Sequence, residues 1–259
     1  MTKVKLGDWL ASAWKLLTDQ WQTWCLISAV YFMPVGLIYG IAQVFSFRAG
    51  LHVDYSNPWR AFLQSFGQSM TISLLMTVAI TVVGAFFIGG IYRTAFKQMA
   101  GEPVHVSDIF SGVHLFPRIL VVSAISGILQ FMAAFLCYFP LFVVQGFFFL
   151  ALPIVVRTDK DPLQALSDSY TATKAEWLMF AVLAFVANIL SGLGVLACLV
   201  GLLFSFPLVF LISAVAYRDL FETVTLEAPK AVKACRACGR DIPVHANFCD
   251  NCGAGQVAP

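Results

Sequence analysis

The residues ILVVSAISGILQFMAAFLCYFPLFVVQGFFFLALPIVV, numbers 119–156, decide the fold, because none of them is Lys, Arg, Asp or Glu. A helix or strand on the surface of a soluble domain needs a polar face, and this stretch has none. A bilayer removes that requirement, since its hydrocarbon core of about 30 Å is crossed by about 20 apolar residues. As one helix the stretch would be about 57 Å long. It therefore reads as two spans joined by a tight turn. Residues 177–217 are also uncharged and long enough for two spans, while 20–47 and 61–92 supply one each. The fold class expected is an all-α polytopic membrane protein with six transmembrane helices.

Composition agrees. The 259 residues are 59% hydrophobic and only 12% charged, with a mean hydropathy of +0.82, where soluble domains carry about 25% charged residues. A net charge of +2 is too small for the multiple phosphate contacts of nucleic-acid binding, so nucleic acid is not an expected partner. Of the 16 basic residues, only Arg48 and Arg60 lie between the first and second apolar stretches. The others lie in the N-terminal segment, in 93–118, in 157–174 or after Tyr217. Six crossings put these four segments on one side. The positive-inside rule makes that side the cytoplasm, with both termini in and the inner membrane as location. Four crossings would export Arg157, Lys160 and Lys174. The N-terminus carries charges and two tryptophans before any long apolar run, unlike a cleavable signal peptide.

Three segments read as helices lying along the membrane surface. In the first, Leu6, Trp9, Leu10, Ala13, Trp14 and Leu17 recur at helical spacing opposite Lys5, Asp8, Ser12, Lys15 and Asp19. Trp21 and Trp24 then suit the headgroup level. In the second, Ser107 is placed to cap a short helix with Ile109, Phe110, Val113 and Phe116. In the third, Asp161-Pro162 starts a helix with Leu163, Leu166 and Tyr170 on one face. Each precedes a pair of spans, so residues 1–222 read as three parallel units of surface helix plus hairpin. The exits after the second and sixth spans echo each other as Tyr92-Arg93 and Tyr217-Arg218. The outer hairpin turns are expected at Arg48–Arg60 (with His52, Asp54 and Ser56-Asn57-Pro58), near Tyr138–Leu141 with Pro140, and near Ser191–Gly194.

The tail carries the strongest chemical signal. After a tether over 223–234, Cys235-x-x-Cys238-Gly239 and Cys249-x-x-Cys252-Gly253 lie within residues 235–255. Each pair can bring two thiolates to one ion, and the glycines permit the tight turns. Four cysteines would close a tetrahedral structural Zn2+ site with no open position for catalysis. The tail has few apolar residues, so metal binding would supply its folding energy. Spacing alone also admits an iron–sulfur site. A redox pair lacks its βαβ context, and disulfides do not suit a reducing compartment. His245 is not needed as a ligand, and Phe248 reads as core of the ribbon. Cys25, Cys137 and Cys198 sit apart in apolar runs and read as small packing residues.

The expected spans contain no charged residue or histidine, which argues against an ion relay. Their polar candidates are Gln43, Gln130, Gln145 and Asn188, of which Gln130, Gln145 and Asn188 are the candidate cavity-lining set; hydrogen bonding between helices is the competing role. Gly36/Gly40, Ser123/Gly127 and Ala197/Gly201 have the spacing of close helix contacts. His105, Asp108 and His114 form the one cluster suited to acid–base chemistry, but read better as solvated headgroup-level residues. No phosphate loop or catalytic metal motif occurs, so no enzyme and no catalytic residue is expected.

Gly89-Gly90-Ile-Tyr-Arg93, Gly101-Glu102 with Val106-Ser-Asp-Ile-Phe110, Ala165-Leu-Ser-Asp-Ser169 and Ala216-Tyr-Arg-Asp-Leu220 resemble a largely uncharacterised bacterial six-span family. It is related to the membrane domain fused to some glycerophosphodiester phosphodiesterases. The resemblance covers roughly residues 1–222 and implies a helical membrane domain; no phosphodiesterase domain accompanies it here. The tail resembles the short zinc ribbons at the ends of prokaryotic membrane proteins. The functional expectation is a non-enzymatic membrane protein, in contact with membrane lipid, whose cytoplasmic ribbon binds a cytosolic or membrane protein partner. The alternative is a component of a transport or lipid-handling system with a cavity in its helix bundle.

Overall fold

The structure is a computed structural model that describes residues 4–50, 53, 56–136, 138–158, 160–196, 200–222, 232–234, 237–238, 241–243 and 252. Among them, six helical segments are long and apolar enough to cross a membrane. The chain divides into two units, Met1–Ala216 and Tyr217–Pro259.

In the first unit, α1 spans Leu6–Asp19 and α2 spans Trp21–Gly50. The spacing of α1 gives it one buried stripe of Trp9, Ala13 and Leu17, which positions 3.6 residues per turn bring onto one face. Trp9 meets the ring of Phe180 at 6.2 Å, so α1 rests on the bundle. Trp14 remains half exposed beside Phe204. Trp21 is half exposed, whereas Trp24 is fully buried in protein. Its indole Nε1 donates to Gln98 Oε1 at 2.8 Å, and Gln98 Nε2 donates to the Leu16 carbonyl at 2.6 Å. A buried N–H needs a partner, and Gln98 supplies it while fastening the α1–α2 junction to the next helix.

That helix, α3, runs from Pro58 to Met99, 42 residues or about 63 Å. Asn57 starts it by accepting from the amides of Trp59 and Arg60, with Pro58 at the first position. His52 and Asp54 lie outside the described residues. After α3 the chain makes two 3-10 turns, Val106–Phe110 and Val113–Leu115. The first begins after His105, and Ser107 lies inside it. The cap is made by Asp108, whose Oδ2 accepts from the His105 amide at 2.9 Å. A β-carbon on Gly90 would collide with the Ile109 carbonyl, and one on Gly112 with the backbone of Gly89 and Gly90. The glycine pair thus lets the turns lie directly on the α3 backbone.

Helix α4 spans Phe116–Leu136 and α5 spans Tyr138–Phe147. The chain then turns at residues 148–150 before α6, Ala151–Thr158. This fourth crossing is therefore a broken helix. Helix α7 spans Pro162–Thr173 with Asp161 at its N-cap, although the Asp161 side chain makes no capping bond. A short 3-10 turn, Lys174–Glu176, leads into α8, Trp177–Leu196, which is followed by α9, Val200–Tyr217. Helix α8 runs on to Leu196, through the Ser191–Gly194 position at which the sequence puts the turn. A β-carbon on Gly194 would meet Ser205 and the Gly201 carbonyl, so Gly194 is a point of close helix approach.

Helix α5 packs between α4 and α8, and α3 between α2 and α4. Tyr31 of α2 stacks on Phe206 of α9 at 4.5 Å, and Phe210 of α9 meets Tyr92 of α3 at 5.5 Å. The Val4 amide donates to Glu176 at 3.0 Å, and the Val104 amide to Gln20 at 3.3 Å. The N-terminal segment, the segment after α3 and the α7–α8 junction therefore gather at one end of the bundle, as an even number of crossings between them requires.

In the second unit, Arg218–Glu222 forms a π-helical turn with Phe221 stacked on Tyr217 at 5.1 Å. The exit after α3's Tyr92-Arg93 stays α-helical to Met99, so the two echoing exits differ in backbone. Strands β1, Val232–Ala234, and β2, Asp241–Pro243, pair antiparallel with Lys233 opposite Ile242. The first strand begins inside the stretch read as tether.

Candidate functional site

The break in the fourth crossing has a polar cost and a local remedy. In a continuous helix the Phe147 carbonyl would accept from the Ala151 amide; here that amide donates to Phe148 at 3.1 Å instead. An unsatisfied carbonyl in hydrocarbon costs several kcal/mol. Ser169 Oγ of α7 donates to the Phe147 carbonyl at 2.7 Å, and Thr173 Oγ1 does so at 3.3 Å. Just before the break, Gly146 allows α5 to touch the backbone of Phe180 and Ala181 in α8. Irregular backbone at membrane depth is tolerated where it is buried in protein or lines a cavity.

A cavity of about 240 Å3 lies beside this break. It is lined by Gln130 from α4, Gln145, Phe148 and Phe149 from the broken crossing, Asn188 from α8, and Tyr92 and Ser213 from α3 and α9. The three polar residues singled out in the sequence thus come together at one place. Asn188 Nδ2 donates to Gln145 Oε1 at 2.8 Å and to the Ala184 carbonyl at 2.7 Å. Tyr92 and Ser213 share a hydrogen bond of 2.7 Å. Gln130 makes no hydrogen bond within the described residues, nor do Ser123 and Ser126, which line the same wall. Ser126 is 9% exposed. The Ser126 hydroxyl and the Gln130 carboxamide thus line the space with donors and acceptors that no described residue occupies. The walls carry no formal charge, so the site suits an uncharged polar group flanked by apolar surface.

Sequence reasoning found the three amides because polar residues are rare in apolar runs. It missed Tyr92, Ser123, Ser126, Ser213 and the helix break. Gln43 lies elsewhere, in a separate polar groove between α2 and α3. Ser123 and Gly127 border the cavity without forming a tight helix contact, and nothing packs on Gly36 or Gly40.

Of the His105, Asp108 and His114 cluster, Asp108 and His114 line one recess, and His105 meets Asp108 through its backbone amide. Asp108 Oδ2 accepts from the His105 amide and from Lys97 Nζ, both at 2.9 Å. Burial works against ionisation of Asp108, but these two partners outweigh it and hold the carboxyl below its ordinary range. His114 Nε2 lies 3.4 Å from Arg93 Nη1.

In the tail, Cys238 occupies the turn between β1 and β2 and is exposed, as is Cys252. Cys235 and Cys249, like His245 and Phe248, lie outside the described residues, as do Cys137 and Cys198 in the membrane unit. Among the described residues no three His, Cys, Asp or Glu side chains are placed to hold one metal ion. Cys25 is half-buried on α2. Compared with family models, curated proteins and solved structures, the chain matches none.

Proposed function

We propose that this protein is a non-enzymatic lipid-handling component of the membrane that binds an amphiphile through the polar cavity. One observation carries the proposal. The cavity beside the broken helix presents Gln130 and Ser126, which the described fold leaves without hydrogen-bond partners. Discontinuous helices surround the binding sites of many membrane transporters for the same physical reason, since freed backbone and polar side chains need a ligand or water. An uncharged wall with aromatic flanks suits the ester, hydroxyl or amide region of an amphiphile. The bundle sits in the inner membrane as three units of surface helix plus hairpin, with both termini cytoplasmic.

The test is retention of lipid during purification in mild detergent, read by native mass spectrometry. Wild type should carry a bound amphiphile, and Gln130→Leu with Ser126→Ala should lose most of it while melting at a similar temperature. Wild type that emerges without any bound species would overturn the proposal.

A second reading concerns the tail, and the β1–β2 hairpin with Cys238 at its turn favours it. Cys235, Cys238, Cys249 and Cys252 would hold one structural Zn2+ ion, and the folded ribbon would dock a cytosolic or membrane protein. Binding of one equivalent of zinc, lost in Cys238→Ser, would support the site. A tail without zinc would remove the reading. Deletion of residues 235–255 should then release a partner captured by the full chain.

A further inference from the structure

A second recess opens at the basic end of the bundle. Its volume is about 490 Å3, and Arg93, Lys97, Arg157 and His114 line it together with Glu102 and Asp108. Lys97 is committed to Asp108 at 2.9 Å, which leaves that pair locally neutral. Arg93 is different. Its Nη1 donates to the Ser111 carbonyl at 2.8 Å and lies near His114, and among the described residues no carboxylate pairs with it. A guanidinium has five N–H donors in a rigid fork, so the Ser111 bond orients Arg93 while leaving donors exposed in the recess. Arg157 lies over the Phe96 ring at 5.5 Å, a stacking contact that restricts a second guanidinium along the same wall.

Position argues for a ligand held at the membrane surface. Tyr92 lines the polar cavity and the next residue, Arg93, lines the basic recess. Along α6, Leu152 lines the cavity and Val156 the recess, one helical turn apart. The two spaces are therefore neighbours along α3 and α6, where the uncharged run of α3 ends at Tyr92 and charged residues begin. Arginine forks match phosphate oxygens in pairs, and basic pockets between membrane helices suit acidic headgroups.

We propose that this recess binds the phosphate of an anionic membrane lipid, with Arg93 as the principal contact and Arg157 beside it. The assignment deepens the lipid-handling reading above and rests on it. The experiment uses the full chain in mild detergent, titrated with phosphatidylglycerol, phosphatidylcholine or inorganic phosphate and read by native mass spectrometry. Phosphatidylglycerol should be retained in preference to phosphatidylcholine, and millimolar phosphate should not displace it. Arg93→Gln should lower its occupancy about five-fold, and Arg93→Lys by less, since charge persists without the fork. Arg60→Gln, at the other end of α3, should change nothing.

Equal retention by Arg93→Gln and wild type would overturn the proposal, as would an equal loss in Arg60→Gln or equal retention of phosphatidylcholine. Displacement by millimolar phosphate would assign the recess to a free anion and overturn the lipid source. If wild type retains no lipid of any class, the lipid-handling reading falls with this one. If lipid is retained but indifferent to Arg93, this inference alone fails.

Discussion

Asn188 Nδ2 donates to Gln145 Oε1 at 2.8 Å, tying α8 to the last turn of α5 just before the fourth crossing breaks. Hydrogen bonds between membrane helices contribute about 1 kcal/mol. Asn188→Leu should therefore lower the stability of the purified protein by about that amount. Gln130→Leu removes an amide that bonds nothing in the described fold, so its melting temperature should stay level or rise. Equal destabilisation by both variants would mean that Gln130 acts in packing and the cavity is dry.

Gln98 holds Trp24 and the Leu16 carbonyl at once. Gln98→Leu leaves the buried Trp24 N–H without a partner, at about 1–3 kcal/mol, and removes a donor from the partly buried Leu16 carbonyl. Thermal melting should show a loss of several degrees. Adding Trp24→Phe should restore part of it, because the orphaned indole N–H disappears. A double mutant no better than Gln98→Leu alone would show that the bond is incidental.

Gly90 lies against the Ile109 carbonyl, whereas nothing stands within 4 Å of a β-carbon built on Gly127. Gly90→Ala must push the 3-10 turns away from α3 and should cost about 3 kcal/mol or prevent folding. Gly127→Ala should be neutral or stabilising by up to about 1 kcal/mol. Yields of monodisperse protein and melting curves read both. Comparable behaviour of the two variants would contradict the close contact.

The Phe147 carbonyl depends on hydroxyls from α7. Ser169→Ala alone should cost about 1 kcal/mol, since Thr173 remains. Ser169→Ala with Thr173→Val should cost more than the two separate losses added together, because only the double variant orphans the carbonyl. Additive losses in a double-mutant cycle would argue that the break is satisfied by other means.

Asp108 supplies a pH dependence of known sign. Its folded carboxyl titrates below the ordinary value of 3.8 because the His105 amide and Lys97 favour the anion over the opposing effect of burial. The stabilisation it gives is complete above the unfolded value and is lost as pH falls through the lower folded one. The melting temperature of wild type should therefore converge on that of Asp108→Asn between pH 5 and acid extremes. A constant difference across that range would remove Asp108 from the account.

The cavity residues show how far a one-dimensional reading reaches. Gln130, Gln145 and Asn188 stand out because each is a lone amide in an apolar run, a property of the chain itself. That Gln145 pairs with Asn188 while Gln130 stays open depends on the rotation of three helices about their axes. The break after Phe147 was not legible, since Gly146-Phe-Phe-Phe contains no proline or charge and glycine is common in membrane helices. The decisive partners, Ser169 and Thr173, lie on another helix. Trp24 is a similar case: its place near a span end says nothing of its partner, and Gln98, far along the chain, gives its indole a buried acceptor.

By itself the sequence determined that six segments are long and apolar enough to cross a bilayer, because the length of an uncharged run is compared with a fixed bilayer thickness. It also supplied the four cysteines of the tail. Only the tertiary structure decided where polar atoms find partners and where they are left facing a cavity, because satisfaction of a hydrogen bond depends on distance and direction between residues that are far apart in the chain.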